Sequence, residues 1–381
     1  MDVTENKNKS TLLELILYFL KLGSTCFGGP IALTSAMQTD LVSKRGWFKQ
    51  ETFKEGMVLS QLAPGPLAAQ MAIYLGWAHS GVWGATLIGF AFIIPSFFMV
   101  IALAMLYIHY GSLPFIQSLF HGIGPAVIAI ISVGAWKLSR KNLEKDNILW
   151  AIAILNALAV AITQTEIIWI FLLSGFFFMG LKSKHITELK MFVLLPTMLS
   201  VGLLGSPTNE TLKTLFFFFL KSGSFVFGSG LAIVPFLHGG VVVEYKWLTE
   251  KQFLDAVAVA MITPGPVVIT VGFIGFLIAG FIGSLLAALG TFLPCYLFTV
   301  IPAPYFSKIS KHKGIVEFVD GVTAAAVGAI MGAVIVLGKK SLIDIPTILI
   351  FITTLSGLIY LKKIPEPLWI LIAGMVGLLL F

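Results

Sequence analysis

The chain has 381 residues, 57% of them hydrophobic and 11% charged, with a formal net charge of +7. A soluble domain carries about 25% charged residues, so the composition excludes a soluble protein and makes this an all-α integral membrane protein in a lipid bilayer. The basic excess lies in short loops between apolar runs, with no basic stripe interleaved with aromatics, which excludes nucleic acid as a partner.

Residues up to Ser10 are polar, and the apolar run that follows lacks a small-residue cleavage site, so a retained first helix is expected. A crossing needs about 20 apolar residues. The first half then divides into spans near 12–28, 52–76, 82–109, 114–137, 147–163 and 165–181. Met191 to Gly205 reads as a short linking span. The second half repeats the series near 211–229, 252–275, 277–302, 315–337, 345–361 and 366–381. The expected architecture is about 12–13 transmembrane helices, with a first repeat over 1–190, a linking transmembrane segment over 191–210 and a second repeat over 211–381. Cytoplasmic loops collect Lys and Arg. With a cytoplasmic N-terminus, a crossing at 191–205 gathers most basic residues inside and makes the second repeat inverted. Lys44, Arg45, Lys49 and Lys54 then fall outside, against the trend.

The two halves carry the same punctuation. Lys21-Leu22-Gly23-Ser24-Thr25-Cys26-Phe27-Gly28-Gly29-Pro30 returns as Lys221-Ser222-Gly223-Ser224-Phe225-Val226-Phe227-Gly228-Ser229-Gly230, and Pro64-Gly65-Pro66 returns as Pro264-Gly265-Pro266. Trp47 pairs with Trp247 and Phe53 with Phe253; after a one-residue slip Pro95 matches Pro294 and Gly122 matches Gly321. Gly is entropically costly in a helix and Pro lacks the donor, so broken helices are expected at both clusters. Each restart exposes free N–H groups and the positive end of a helix dipole, which suits an anion. Brought together by an inverted repeat, four such ends form one electropositive centre, as in a transporter whose halves rock around a central site.

The expected substrate-binding residues are Lys21, Ser24, Gly28, Gly29, Pro30, Gln61, Pro64, Gly65 and Pro66, with Lys221, Ser224, Gly228, Gly230, Pro264, Gly265 and Pro266 from the second half. A lysine inside an apolar run is costly and faces a polar interior, or else snorkels to the interface. Thr25 faces Phe225, Ser35 faces Pro235, Gln61 faces Met261 and Gln70 faces Thr270, so the first half is expected to supply most contacts. Gln61 leads the candidates, its alternative being an interhelical hydrogen bond. Glu55 and Asp255, each nine residues before a Pro-Gly-Pro, read as solvated first-turn acids or coupling groups; Asp320, whose repeat partner is His121, is a further coupling candidate. Cys26 and Cys295 read as small buried hydrophobes. The sequence has no His-Glu-x-x-His, Walker lysine loop or Gly-x-Ser-x-Gly elbow, so no enzyme, metal or cofactor is expected and transport would run on gradients.

The Lys-x-Gly-x-x-x-Phe-Gly-Gly-Pro run at 21–30, Arg-Gly-Trp at 45–47 and Ser-Gln-Leu-Ala-Pro-Gly-Pro at 60–66 resemble the chromate ion transporter family of bidomain type, across essentially the whole chain. The resemblance implies a multi-pass protein of the cell membrane that exports chromate, with sulfate as a related oxyanion, and it leaves a homodimer open. The second half departs from the pattern, with Phe-Gly-Ser-Gly at 227–230 and Met261 in place of glutamine. Two other classes stay in view: a lipid-phosphate flippase using the same helix ends, and a non-transporting scaffold with a fully packed centre.

Overall fold

The computed structural model describes residues 10–27, 29–143, 146–164, 168–182, 209–226, 230–306, 313–361 and 364–381. Helix α1 (Leu12–Thr25) starts on a capping box in which Thr11 and Glu14 satisfy each other's backbone N–H groups. It ends at an extended Cys26, and α2 (Gly29–Met37) follows, prolonged by a π-helical stretch Gln38–Lys44. In one straight rod Tyr18 and Arg45 would stand about 40 Å apart. Instead the Arg45 guanidinium lies 5.4 Å from the centre of the Tyr18 ring, so α1 and α2 form a re-entrant hairpin that turns between the end of α1 and Pro30.

Helix α3 (Gln50–Leu62) and the first limb of α4 (Leu67–Tyr110) make a second hairpin, with Pro64-Gly65-Pro66 at its tip. Tyr74 returns beside Gly56 and donates to Glu55 at 3.2 Å. As one rod α4 would be about 66 Å long, twice a bilayer core. It folds back at Ser80–Gly81, where Gly81 has φ of 61°, a left-handed conformation that disfavours any residue with a Cβ. The limbs, 67–79 and 82–110, then pass at Gly76 and Gly84, where a side chain on either would strike the other's backbone. His79 bonds the Ser10 carbonyl and lies tilted against the Phe48 ring, 6.4 Å between centres. The start of α1, the loop after α2 and the turn of α4 therefore share one face of the molecule.

Next come α5 (Pro114–Asn142), α6 (Asn147–Thr163) and α7 (Ile168–Lys182). The second half repeats the plan. Helix α8 (Asn209–Ser224) is followed by a 3-10 turn at Gly230–Ala232, α9 (Ile233–Leu237) and a π-helical His238–Glu244. Then come α10 (Glu250–Ile262), α11 (Thr270–Val300), α12 (Lys313–Ser341), α13 (Ile345–Tyr360) and α14 (Glu366–Leu380). Helix α11 turns back at Gly280, φ 62°, as α4 does at Gly81.

Equivalent limbs of α4 and α11 run antiparallel: Thr86 meets Tyr296 while Phe97 meets Phe281. A two-fold axis along the bilayer normal would leave them parallel, so the repeat is inverted. The halves are also interlocked. Helix α5 packs on α13 and α14 of the other half, and α12 packs on α6 and α7. Small residues permit these crossings. Gly122 sits on Ala373 and Gly377, and Gly321 sits on Ser174 and Gly175.

Within the predicted spans 12–28, 52–76, 211–229 and 252–275 the described residues are thus corrected to limbs of hairpins, since Arg45 returns to Tyr18 and Trp247 to Phe218. Hydropathy cannot separate a half-crossing from a crossing, because both bury apolar residues. The return also moves Lys44, Arg45, Lys49 and Lys54 onto the face that holds the end of α5 and Lys182, and moves Lys246 and Lys251 to the face of Lys339 and Lys340, reversing the expected sides of both groups. The expected linking span at 191–205 lies outside the described residues, as do Gly28 and Gly228.

Candidate functional site

The four hairpin tips meet. Gly65 N–H donates to Val226 O at 2.5 Å, and Gly265 N–H donates to Cys26 O at 3.0 Å, so each Pro-Gly-Pro tip bonds the first-hairpin tip of the opposite half. Gln70 Nε2 closes its own tip by donating to the Ala63 and Pro64 carbonyls at 3.2 and 2.9 Å. The glycine N–H groups of both Pro-Gly-Pro motifs are therefore spent on the fold. Pro30, Pro66, Gly230 and Pro266 surround a crevice of only about 10 Å³, room for one water at most. The symmetric centre is closed.

A cavity of about 1270 Å³ rises from this plug toward the face that carries Arg45 and Lys182. Gly29, Pro30, Ile31 and Ala32, the first turn of α2, border it, followed by Ser35 one turn on. Gln61 and Val58 contribute from α3, and Thr263 and Gly265 from the opposing tip. The α2 turn matters because its N–H groups have no acceptor within the helix. Lys137 and Lys141, four residues apart on one side of α5, stand on the wall with Glu317 and Asp320 of α12; Lys182, Asp146 and Glu366 lie toward the mouth. Asp146 caps α6 through Ile148 N–H and pairs with Lys182 at 2.8 Å. The hydrogen bond from Lys182, aided by that N–H, holds the Asp146 carboxyl below the usual carboxylate range.

Of the expected site residues, Gly29, Pro30, Gln61, Gly265 and Asp320 border the cavity. Pro66, Gly230 and Pro266, with Pro30, border the crevice. Gly65, Pro64 and Pro264 form the tips. Lys21 and Lys221, expected beside the substrate, are exposed on α1 and α8 and border neither space. The Ser24 and Ser224 hydroxyls donate to the Lys21 and Leu220 carbonyls of their own helices, the usual resolution for a hydroxyl in an apolar setting. Asp255 is not a solvated first-turn acid: it is 4% exposed and accepts from Tyr107 Oη at 2.7 Å. Asp320 and His121 do not form a relay. The inverted axis sends them to opposite faces, where His121 meets Asp344 at 3.6 Å and the Phe381 ring.

Sequence reasoning overlooked Lys137, Lys141, Lys182 and the acids Asp146, Glu317 and Glu366. The lysines were assigned to topology alone. The available signal was the four-residue spacing of Lys137 and Lys141 at the inner end of a long apolar helix, which puts both on one side.

The chromate transporter family profile matches residues 13–179 and 213–378. The chain is 52% identical to the chromate transport protein of Cupriavidus metallidurans, over 97% of this chain and 94% of that protein. It is 50% identical to the probable chromate transport protein of Synechococcus elongatus, over 97% and 95%. Against the chromate transport protein of Pseudomonas aeruginosa it is 30% identical over 97% and 92%. No solved structure matches the chain.

Proposed function

This chain belongs to the chromate transporter family, and on that premise we propose that it carries chromate out of the cell across the cell membrane, by alternating access. It is a multi-pass membrane transporter, not an enzyme. The observation that carries the reading is the first turn of α2 standing at the floor of a one-sided, lysine-bearing cavity. Chromate is a divalent tetrahedral oxyanion, and sulfate shares its charge and shape. The first-turn N–H groups of Gly29 and Ile31, the hydroxyl of Ser35 and the amide of Gln61 are suited to its oxygens. Lys137 and Lys141 offset its charge locally, on a wall they share with Glu317 and Asp320.

Charge supports the sidedness of the cavity. Among the described residues Lys44, Arg45, Lys49, Lys54, Lys137, Arg140, Lys141, Lys182 and Lys313 belong to the face where the cavity opens, against Lys213, Lys246, Lys251, Lys339 and Lys340 on the other. The positive-inside rule supports a cytoplasmic mouth and a cytoplasmic start of α1. A cavity open to the cytoplasm loads from inside, which fits efflux.

The test is radiolabelled chromate uptake into inside-out vesicles, with and without excess sulfate, comparing the natural chain with Lys137→Ala/Lys141→Ala. The expected result is saturable uptake, reduced by sulfate and lowered at least tenfold in the double variant at equal protein level. Uptake equal to empty vesicles removes the reading; uptake that both variants share removes the site.

A further inference from the structure

On the face opposite the cavity, three elements meet at one carboxylate and a fourth joins through its lysine partner. Glu250, in the first turn of α10, accepts from His238 Nε2 at 2.8 Å and pairs with Lys340 in the last turn of α12. Lys340 also donates to Oε1 of Gln164, the residue that ends α6, at 3.4 Å. His238 is 3% exposed and packs 5.4 Å from the Phe253 ring.

Behind this cluster the interior is closed. Ala329, Ala333, Val336 and Leu337 are buried. They are the repeat mates of Ile130, Gly134, Lys137 and Leu138, which border the cavity. The mates of His238, Glu250 and Lys340 are Gln38, Gln50 and Lys141. The lysine is kept, its carboxylate partner is an amide, and Lys141 stands exposed on the cavity wall. The closed face carries a charge-assisted clamp, and the equivalent positions of the open face hold two amides and a lysine.

We infer that Glu250, with His238 and Lys340, is the gate that holds the far face shut. It must part when the chain turns its cavity to that side. The inference rests on the alternating-access reading above. In an inverted repeat the second state arises when the halves exchange conformations. The halves differ at this carboxylate, so the exchange is biased. Charge-assisted bonds in a partly dry site are among the stronger polar contacts, and an amide at position 50 offers Lys141 no such partner. The chain therefore rests open toward the face of Lys141.

The test reads accessibility without using substrate. In a Cys26→Ser/Cys295→Ala background, single cysteines are placed at the closed side (Val336→Cys) or in the cavity (Ser35→Cys) and labelled with a charged maleimide on purified protein. Glu250→Gln is expected to raise the rate at 336 about tenfold and to lower it at 35, the shift set by one lost charge-assisted pair. The exchange Glu250→Lys/Lys340→Glu is expected to restore slow labelling at 336. Gln50→Glu, which gives Lys141 a partner, is expected to move both rates in the same sense as Glu250→Gln. Unchanged rates at 336 in monodisperse Glu250→Gln protein overturn the gate. Should that variant not fold, unchanged rates at both positions in Gln50→Glu overturn it instead. Altered gating without chromate uptake keeps the gate and removes the substrate reading; uptake with unaltered gating does the reverse.

Discussion

The two Pro-Gly-Pro hairpins share a sequence, a tip geometry and a reciprocal pair of hydrogen bonds, and both border the cavity, one through Val58 and Gln61 and the other through Met261, Thr263 and Gly265. Where they agree, the residues are glycines and prolines that make the tips and the folded-back limbs. Where they differ, polarity changes: Ser35 against Pro235, Gln61 against Met261, Lys137 against Val336, Gln50 against Glu250. Shared positions build the scaffold, and divergent ones give the two walls of the cavity different polarity. A duplicated protein can keep its symmetry in backbone geometry and lose it in side-chain chemistry.

The comparison breaks most visibly at the scaffold. Gly76→Leu and Gly275→Leu should be equally damaging, because each drives a side chain into the backbone of the neighbouring limb. Overpacking costs about 1–3 kcal/mol and more against rigid backbone, so both should yield little monodisperse protein by size-exclusion chromatography. One tolerated and one lethal change would show that the limbs are not equivalent. A smaller and lopsided effect is expected in the cavity. Gln61→Met should lower vesicle uptake about tenfold, the worth of roughly one polar contact, while Met261→Gln, which adds an amide to the opposing wall of the same cavity and removes none, should stay within about twofold. Equal losses would remove the division of labour.

The smallest effect concerns the mouth. Asp146→Asn breaks a partly exposed pair with Lys182 and should shift thermal stability by less than about 1 kcal/mol. Because the folded-state carboxyl lies below its unfolded value, the pair's contribution is full above about pH 4 and fades as pH falls through the lower folded value. Melting temperatures of the natural chain and variant should therefore keep a constant difference from pH 5 to 8. A difference that grows with pH in that range would contradict it.

The repeat, the breaks and the inverted arrangement were legible because Gly and Pro interrupt helices whatever surrounds them, and because duplicated punctuation is visible without coordinates. The hairpin character of 12–44 and 50–79 was not. A part-way limb and a full crossing have the same apolar content, and only contacts such as Arg45 on Tyr18 separate them. That error displaced the basic group at 44–54. The cavity lysines were hidden by a degeneracy of another kind: Lys137 and Lys141 near a helix end satisfy the topology rule and a binding role with the same residues. Lys21 and Lys221 drew attention through their symmetry, but exposure on α1 and α8 is what snorkelling, their alternative reading, would give.

The handshake of α5 with α13 and α14, and of α12 with α6 and α7, limits how such a molecule can work. Neither half can swing away as a rigid body without tearing its long helix from the other's closing pair. Motion is left to the inner hairpins, which slide or tilt inside a frame that stays braided. A split version expressed as two polypeptides should then copurify as one particle, each piece being the other's missing wall.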